Sequence, residues 1–507
     1  MKKFICSMLL LVATLSLSAQ SLTEVGKVMS LKQDRSGLVN PLNQFNDAIY
    51  YIENPLRYGN TTKKTYKDEL LRVNPKSKEV TSLNLPVPAN FRYLGAVETA
   101  KELVMFYCNE DSIYINKGKK NEIGWFPEKV MPCEITKSDL VDYVLSADGT
   151  KIALIASQTL ENNYNGAKVY VFDNAGKPIW NGKWAVEDAT RGYQRMSTLL
   201  DKNGNVHTAL YSYRTKGKSK SDHQLRMYSL CPDSVAVAIE PVAFGNIEEC
   251  TMVESVTPDV LVLAGYFAQK PKDNATANFT MSYNTKYSRI MFTANQKFPG
   301  YYKTRKKTTP EDLIMNQEYK LHIIGCHTLS NGTIVVLCDQ QIEKDGKKYS
   351  GNIIYDEYSK DGEILRHKVF HKDQVMKVAK GQEDQPFETC GLSFGSFMNN
   401  DKIYVVFNDN LGNYVEDPLK APDKKIIQED QDNPKEWKQF DGDDYKMGCT
   451  IVMSIDENLF TQRHVVTRSV TTKSLFSGFV LKGDRFLLLY TRDGKNLSAQ
   501  RLSFRFN

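Results

Sequence analysis

The five residues Gly391-Leu392-Ser393-Phe394-Gly395 match the G-x-S-x-G spacing that places a nucleophilic serine in α/β-hydrolases. That motif requires a strand before the serine and a helix after it, whose N-terminus supports an oxyanion site. The sequence after Ser393 instead has no helical period and continues into a turn and an apolar strand, FMNNDKIYVVFND. We therefore interpret Ser393 as a serine of a β-strand and the match to the hydrolase motif as fortuitous.

A second candidate site is the segment FPGYYKTRKKTTPEDLIMNQEY, residues 298–319, which concentrates aromatic and basic side chains. Adjacent aromatic rings can stack on sugar rings or hold a peptide, and cations bind carboxylates, sulfates or phosphates. A short helix is predicted to follow, with Thr309 as N-cap and Pro310 at its first position. The alternative is a solvated basic loop whose tyrosines pack on the protein rim. The candidate binding residues are Tyr301, Tyr302, Lys303, Arg305, Lys306 and Lys307.

Acidic residues cluster in a third segment, EDQDNPKEWKQFDGDDYKMG, residues 429–448. Carboxylates at short spacing suit Ca²⁺, but these do not follow the D-x-[DN]-x-[DN]-G loop, so we predict a mobile acidic loop. His367 and His371 are four residues apart on a predicted strand, about 14 Å by rise alone, which is too far to share one metal. The sequence therefore predicts neither a metal nor a cofactor. The clustered acids are Glu429, Asp430, Asp432, Asp441, Asp443 and Asp444.

Nine cysteines occur in the chain, of which Cys6 lies in the N-terminal apolar segment. Eight cysteines in an exported chain of this length permit disulfides but fall far below the density of a disulfide-stapled scaffold. Cys326 and Cys338 flank Asn331-Gly332, a pair typical of a two-residue hairpin turn. That register sets Cys326 opposite Leu337 and the two sulfurs on opposite sheet faces, so we predict buried free thiols.

The first residues, MKKFICSMLLLVATLSLSAQS, have the layout of a secretory signal peptide: two lysines, an apolar stretch from Phe4 to Leu17, and small residues before Gln20. We place the signal peptide at residues 1–19. A retained N-terminal anchor is the alternative. No other segment reaches 18 consecutive apolar residues, so we expect a soluble protein, periplasmic or secreted to the cell surface, with no integral membrane segment after cleavage.

The charge balance argues against nucleic-acid binding. The formal charge is +6, and removing Lys2 and Lys3 leaves 64 basic against 60 acidic residues, or +4 over the remaining chain. A protein that neutralises many phosphates carries a far stronger basic excess.

Most of the remaining sequence has the hydrophobic period of strands, and one phrase returns eight times: a tight polar turn followed by a strongly apolar strand. Recurrence every fifty to eighty residues, with about four short strands per unit, is typical of a β-propeller. The apolar strands are predicted to begin at residues 48, 102, 151, 206, 260, 333, 402 and 485.

We therefore predict an all-β fold, a β-propeller of eight four-stranded blades, with seven blades as the alternative because the N-terminal unit is the weakest. The strands of a blade are labelled A to D. The last unit supplies only three strands, and we expect an N-terminal segment, EVGKVMSLK at 24–32, to complete it and close the ring. Residues 20–507 then form one domain, with insertions at 295–318 and 409–447.

The long connections are all predicted on one face of the propeller, the face formed by the B–C and D–A connections. The A–B and C–D turns are short and rich in turn residues. The long B–C connections are predicted at 158–167, 214–222, 268–277, 340–351 and 409–447, and a long D–A connection at 295–318. Because loops on rigid scaffolds carry function more often than strands do, this face is the candidate binding surface.

The repeats resemble those of secreted bacterial β-propeller proteins over essentially the whole mature chain. The S-x-D-x-G-x-x-W box of sialidases and the WD dipeptide pattern are missing. With no coherent catalytic constellation, we favour a non-enzymatic binding or assembly module of the bacterial cell envelope, which engages a protein or a glycan. The alternative is a polysaccharide-active hydrolase or lyase with its site at the mouth of the central channel.

Overall fold

The computed structural model describes most of the chain from residue 21 onward. Before residue 83 and after residue 466 it describes backbone pairing alone, apart from the side chain of Leu70. The described residues are 21–24, 29–31, 38–42, 48–53, 65–73, 80–99, 101–119, 123–136, 139–160, 163–186, 188, 190–214, 223–242, 245–268, 273–298, 319–378, 387, 391–415, 427–429, 437–443, 445–468, 475–483, 486–493 and 496–505.

The strands of the described residues form eight sheets that follow one another along the chain. The first two strands, β1 (Ser21–Glu24) and β2 (Met29–Leu31), belong to the last sheet. Blade 1 contains β3 (Leu38–Leu42), β4 (Ala48–Glu53), β5 (Thr65–Val73) and β6 (Val80–Pro88). Blade 2 contains β7 (Arg92–Glu98), β8 (Glu102–Cys108), β9 (Ser112–Lys119) and β10 (Pro127–Pro132).

The next three blades have the same antiparallel order from inner to outer strand. Blade 3 contains β11 (Leu140–Leu145), β12 (Lys151–Leu160), β13 (Asn163–Asp173) and β14 (Pro178–Ala185). Blade 4 contains β15 (Arg191–Leu200), β16 (Val206–Arg214), β17 (Gln224–Cys231) and β18 (Ser234–Pro241). Blade 5 contains β19 (Asn246–Glu254), β20 (Val260–Ala268), β21 (Ala277–Asn284) and β22 (Arg289–Lys297).

Blades 6 and 7 are enlarged. Blade 6 contains β23 (Lys320–Thr328), β24 (Ile334–Lys344), β25 (Lys347–Tyr358), β26 (Ile364–Phe370) and the added β27 (Gln374–Lys377). Blade 7 contains β28 (Gly395–Asn399), β29 (Lys402–Asn410), β32 (Gly448–Ile455) and β33 (Thr461–Arg468). Its insertion contributes a 3-10 helix at Leu411–Asn413, β30 (Ile427–Glu429), β31 (Phe440–Asp441) and a second 3-10 helix at Tyr445–Met447.

The last blade is completed from the other end of the chain, as predicted. Blade 8 contains β34 (Leu475–Gly483), β35 (Phe486–Asp493) and β36 (Asn496–Arg505). Both β1 and β2 pair antiparallel with β36, with Ser21 opposite Arg505 and Met29 opposite Ala499. This pairing covers the edge that β36 would otherwise expose and makes the fold an eight-bladed β-propeller.

The apolar strands begin where the repeated phrase places them. Six B strands, in blades 1 to 5 and blade 7, begin at the predicted residue, and those of blades 6 and 8 begin one residue later, at Ile334 and Phe486. The turn chemistry explains this accuracy. Asp201 accepts hydrogen bonds from the N–H groups of Asn203 and Asn205, both at 2.8 Å, and Asp173 caps its turn in the same way.

Each described hydrophobic cluster between blades consists of side chains from two neighbouring blades. Between blades 4 and 5, for example, Met227 packs with Leu263 and Phe279, all at 1 % exposure or less. Equivalent clusters join the other neighbours from blade 1 to blade 7. The apolar burial is therefore distributed around the ring, which lets so long a chain form a single repeat architecture.

Candidate functional site

The predicted aromatic and basic site lies outside the described residues. Tyr301, Tyr302, Lys303, Arg305, Lys306 and Lys307 all fall in 299–318, between the end of blade 5 and β23 of blade 6. So does the short helix predicted to begin after Thr309. The described strands on either side of this segment are β22, the outer strand of blade 5, and β23, the inner strand of blade 6.

Two of the predicted B–C loops are instead extensions of their strands. In blade 6, β24 and β25 continue as a hairpin through 340–351 and turn at Asp345-Gly346, which have φ of 54° and 70°. In blade 3, β12 and β13 continue through most of 158–167 with a bulge after Gln158. The predicted loops are therefore wrong in conformation. The Asp-Gly pair in blade 6 is the signal that identifies a two-residue hairpin turn.

The insertion of blade 7 is attached to blade 6. Its strand β31 pairs in parallel with β27, with Gln374 opposite Phe440, and β27 pairs antiparallel with the extended hairpin at Lys347–Ser350. The N–H of Gly442 donates to the carbonyl of Val375 at 2.8 Å. Residues 340–351, 371–378, 387, 392, 408–415, 437–443 and 445–447 thus form one surface on the B–C/D–A face, which we call the blade 6–7 platform.

The platform has a small hydrophobic core of its own. Phe387, Leu392 and Phe440 are buried at 9 %, 1 % and 2 % exposure, and Met376 packs against them. Lys348 lies over the ring of Phe387, with 5.0 Å from its Nζ to the ring centroid, and pairs with Glu343 at 2.6 Å. This core holds the insertion against blade 6, so the described part of the acidic segment differs from the mobile loop predicted.

A fully buried ion pair lies beneath the platform. Lys372 Nζ lies 2.9 Å from Asp339 Oδ1, and both side chains are 0 % exposed. Ser350 Oγ donates to the same carboxylate at 2.7 Å and accepts from Lys372, which also donates to Gln374 Oε1 at 3.2 Å. Burial lowers the pKa of Lys372, and the Asp339 carboxylate opposes that shift.

Ser393 belongs to this buried region rather than to a catalytic site. Its side chain is 0 % exposed, and its N–H donates to Gln374 Oε1 at 2.8 Å and to Ser350 Oγ at 3.1 Å. It has φ of 70°, and its hydroxyl has no hydrogen-bond partner among the described residues. The chain then enters β28 and not a helix, as expected from the sequence, but Ser393 lies two residues before that strand, so its assignment to the strand is wrong.

A second buried ion pair anchors the insertion to blade 7. Arg463 and Asp409 approach to 3.7 Å at 4 % and 1 % side-chain exposure, and the Tyr414 hydroxyl donates to Asp409 at 2.6 Å. The guanidinium of Arg463 lies 4.8 Å from the Trp437 ring centroid, and one of its N–H groups donates to the carbonyl of His371 at 2.7 Å. The sequence gives no signal for this cluster, whose members come from four separate segments.

The acidic residues of the insertion form hydrogen bonds with the platform. Asp441 accepts from the N–H of Asp443 at 2.9 Å, and Asp443 accepts from the N–H of Lys377 at 2.9 Å. Glu429 lies on β30, opposite Gln462, while Asp430, Asp432 and Asp444 lie outside the described residues. In the part of the chain that the structure describes, no group of histidine, cysteine and acidic side chains is arranged to hold a metal.

The cysteines of blade 6 show how the length of a turn changes a register. The turn holds three residues, with Gly332 at φ of 85°, and a bulge at Ile324 shifts the pairing again. Cys326 therefore lies opposite Val336, and both Cys326 and Cys338 pack on one hydrophobic cluster. The predicted register and the placement on opposite faces are wrong. The prediction of free thiols is confirmed, and all described cysteines are free.

Polar side chains join the inner strands of neighbouring blades around the channel. Such contacts bring together residues whose distance in the sequence gave no hint of proximity. They comprise Arg195 with Asp142, His322 Nδ1 with Glu249 Oε2 at 3.0 Å, His327 Nε2 with Ser396 Oγ at 2.9 Å, and the Tyr143 hydroxyl with the Ala96 carbonyl at 2.7 Å.

The inner-strand carboxylates are used in contacts within the protein. Glu249 also accepts from the N–H of Ile323 at 3.1 Å, and Glu248 accepts from the N–H groups of Ala275 and Leu321 at 2.6 and 3.1 Å. Burial raises the pKa of Glu248, and burial also lowers the pKa of His327 to about 4. The more accessible pair is His322 with Glu249, whose side chains are 48 % and 28 % exposed.

The opposite face, built from A–B and C–D turns, is joined by hydrogen bonds from blade to blade. It contains a cleft of about 210 Å³ between blades 4 and 5, next to Asp201, Glu254 and Asp259. The Asp201 carboxylate already accepts four hydrogen bonds from its own turn and from His207. The contacts between blades include Lys202 N–H to Glu254 at 3.1 Å, Trp180 Nε1 to the Gly204 carbonyl at 2.8 Å and Ser255 Oγ to the Lys360 carbonyl at 2.7 Å.

None of the described segments forms a helix of the length and apolar character needed to cross a lipid bilayer.

Several solved structures are distantly similar to this chain. No protein-family model matches the sequence, and no curated protein matches it either. The WD40 domain of SCAP from fission yeast is 8 % identical with a TM-score of 0.35, over 96 % of this chain and 98 % of that chain. The β-propeller domain of the Trilobed protease from Pyrococcus furiosus is 8 % identical with a TM-score of 0.32, over 66 % and 97 %. A polysaccharide lyase of family PL25, an ulvan lyase, is 9 % identical with a TM-score of 0.36, over 81 % and 92 %.

Proposed function

We propose that the protein is an exported, non-enzymatic binding or assembly module of the bacterial cell envelope, which engages a protein or a glycan through its B–C/D–A face. The observation that carries this proposal is the blade 6–7 platform. The 37-residue connection between β29 and β32, residues 411–447, reaches blade 6, where β31 pairs with β27 and Phe440 packs with Phe387 and Leu392. A surface held by strand pairing and a packed core presents side chains to a partner at a low entropic cost.

The polar groups of the rest of the scaffold support the same proposal. The A–B/C–D face uses its polar side chains in turn caps and contacts between blades, and the inner-strand carboxylates Asp142, Glu248 and Glu249 are held by protein donors. A general acid or base must reach a substrate proton, which such contacts hinder. The B–C/D–A face presents exposed lysines on the platform, namely Lys347, Lys377 and Lys438.

The test is an affinity capture of tagged protein, carrying its own signal peptide, from gently solubilised native envelopes. The platform variant is Lys347→Glu/Lys377→Glu/Lys438→Glu. Its control is Lys101→Glu/Lys177→Glu/Lys360→Glu, which makes the same change of charge at exposed lysines on the A–B/C–D face. We expect a stoichiometric partner, protein or glycan, that the platform variant loses and the control retains. A partner retained equally by both, or none at all, would contradict the proposal.

A polysaccharide-active hydrolase or lyase is the second candidate, and the observation that favours it is the accessible His322–Glu249 pair on the inner strands. A histidine held by a carboxylate is a suitable general base. The test is to incubate the protein with anionic and neutral polysaccharides and measure new reducing ends and unsaturated products. Cleavage abolished by His322→Ala, in a folded variant, would replace the binding proposal with an enzymatic one.

A further inference from the structure

The outer strands of blades 4 and 5 are sheet edges at neighbouring positions on the rim. β18 and β22 lie in contact with each other, and no described strand pairs with the outer edge of either one. Blade 7 differs, because β30 covers the outer edge of β33. An uncovered edge presents unpaired backbone groups, and native proteins protect such edges with charges or prolines. The outer strand of blade 6 carries Arg366, His367 and Lys368 in this way.

The edges of blades 4 and 5 carry such residues only near the strand ends and expose apolar side chains between them. Val235 and Ile239 on β18 are 49 % and 47 % exposed, and Met291 and Phe292 on β22 are 54 % and 40 % exposed. The strand sequences are SVAVAIEP and RIMFTANQK, whose charged residues lie at or next to the strand ends. Exposed apolar residues are ordinary when single, but both strands expose them: Val235 and Ile239 on the side of β18 that faces blade 3, and Phe292 on the side of β22 that faces blade 6.

The charges at the ends of these strands are complementary. Asp233 and Glu240 flank the apolar part of β18, and Arg289 and Lys297 flank that of β22. Along β18, Glu240 follows Asp233 by seven positions. Along β22, Lys297 follows Arg289 by eight positions, and one of these eight is the bulged residue Met291. A classic bulge adds one residue without lengthening the pairing, so the acidic and basic pairs have the same spacing along the two strands.

Two-fold symmetry brings these charges together. When two copies meet rim to rim about an axis parallel to the propeller axis, blade 4 of one copy faces blade 5 of the other, and both outer strands run in the same direction. Asp233 then lies opposite the second copy's Arg289 and Glu240 opposite its Lys297. The symmetry repeats both pairs on the other side of the axis.

We propose that the protein associates with a second copy of itself through β18 and β22, as a two-fold dimer held by the apolar centres of the strands and two symmetry-related sets of acid–base pairs. Only two strands per copy take part. The area that they bury is therefore smaller than the roughly 800 Å² per partner of a standard interface. The dimer is therefore weak and depends on concentration, and salt weakens it further because its charges lie at the surface. It leaves the blade 6–7 platform exposed, so it is independent of the proposed function.

The test is analytical ultracentrifugation of the full mature chain from low to high micromolar concentration. We expect a reversible monomer–dimer equilibrium in the native protein, and monomers in both Arg289→Glu/Lys297→Glu and Asp233→Lys/Glu240→Lys, where like charges face each other. Mixing the two variants restores opposite charges on both sides of the axis, so the mixture should dimerise although neither variant does. Lys177→Glu/Lys183→Glu, on the rim of blade 3, is the control and should behave as the native protein.

Each outcome bears on the proposal. A native protein that stays monomeric at the highest concentration overturns it. A native dimer that persists in both charge variants, or a mixture of the variants that stays monomeric, places the interface elsewhere and overturns it equally. Circular dichroism of each variant verifies that the exposed substitutions have left the fold intact.

Discussion

At the level of single residues, blades 6 and 7 each contain one buried ion pair. In blade 6 the Lys372–Asp339 pair joins β24 to the chain after β26, and in blade 7 the Arg463–Asp409 pair joins β33 to β29. Buried charges cost desolvation energy and are tolerated because each has a partner and further hydrogen bonds. Spacing in the sequence could not reveal these pairs, because Lys372 and Asp339 are 33 residues apart and meet only through the extended hairpin.

Replacing Lys372 with methionine should leave the buried Asp339 carboxylate without its cation. We expect a loss of about 3–5 kcal/mol in the free energy of unfolding, measured by urea denaturation, as is typical when one partner of a buried pair is removed. Lys372→Met/Asp339→Asn, which removes both charges, should recover part of that loss. The matched control is Lys377→Met at an exposed position of the nearby β27, with a change within about 0.5 kcal/mol. Equal losses in both single variants would contradict the prediction.

His327 should make stability depend on pH. Burial lowers its pKa from 6.5 to about 4 in the folded protein, so below pH 6.5 the unfolded chain binds a proton that the folded protein does not. The free energy of unfolding should therefore fall as the pH decreases from above 6.5 towards 4. His371, whose pKa burial also lowers to about 4, acts in the same direction. In His327→Gln the free energy of unfolding, measured by urea denaturation at each pH, should decline less steeply across this range. An unchanged dependence on pH would show that the fold does not prevent protonation of His327.

At the scale of elements, the structure differs most from the sequence-based expectation where strands pair over long distances. Strand starts were predictable because each follows a local turn with its own chemistry, such as the Asp201 cap. The pairing of β31 with β27 was not, because its partners are 66 residues apart and each strand is very short. The binding residues proposed in 301–307 lie outside the described residues and remain a prediction.

Phe440 is the anchor of the inserted strand and tests whether the platform is a separate element. Phe440→Ala should empty the small core of Phe387, Leu392 and Met376 while the clusters between blades stay intact. We therefore expect faster backbone hydrogen exchange in 374–378 and 437–447 with little change in the blade strands. Phe460→Ala, at a position 58 % exposed, is the control and should change neither. Faster exchange throughout the propeller would contradict the independence of the platform.

The whole molecule is a ring whose hydrophobic clusters are shared between neighbours, so its integrity depends on the junction of the two chain ends. The eightfold recurrence and the missing strand of the last unit predicted this closure, and the structure places both β1 and β2 against β36. The recurrence could not predict which polar side chains meet between inner strands, because those contacts depend on the packing of one blade on another.

A disulfide across the junction should therefore stabilise the entire propeller. The adjacent pairs Leu22/Phe504 and Thr23/Ser503 lie opposite each other in the antiparallel pairing, and such pairs alternate between hydrogen-bonded and non-hydrogen-bonded geometry. Side chains are closer in the second kind, so one double-cysteine variant should crosslink readily and the other poorly. The crosslink closes a loop of nearly the whole chain, for which loop-closure entropy predicts a gain of about 6 kcal/mol in the free energy of unfolding.

The measurement compares urea denaturation of the crosslinked protein with that of the same variant after reduction, once mass spectrometry has located the disulfide. Because the described native cysteines are free and mostly buried, they should stay reduced during mild oxidation of the folded protein. A stabilised oxidised form that loses its advantage on reduction would show that the junction limits the stability of the ring. If neither pair crosslinks in the folded protein, β1 does not pair with β36 in this register. If a crosslink forms without raising the unfolding midpoint, the ring opens between other blades before its ends separate.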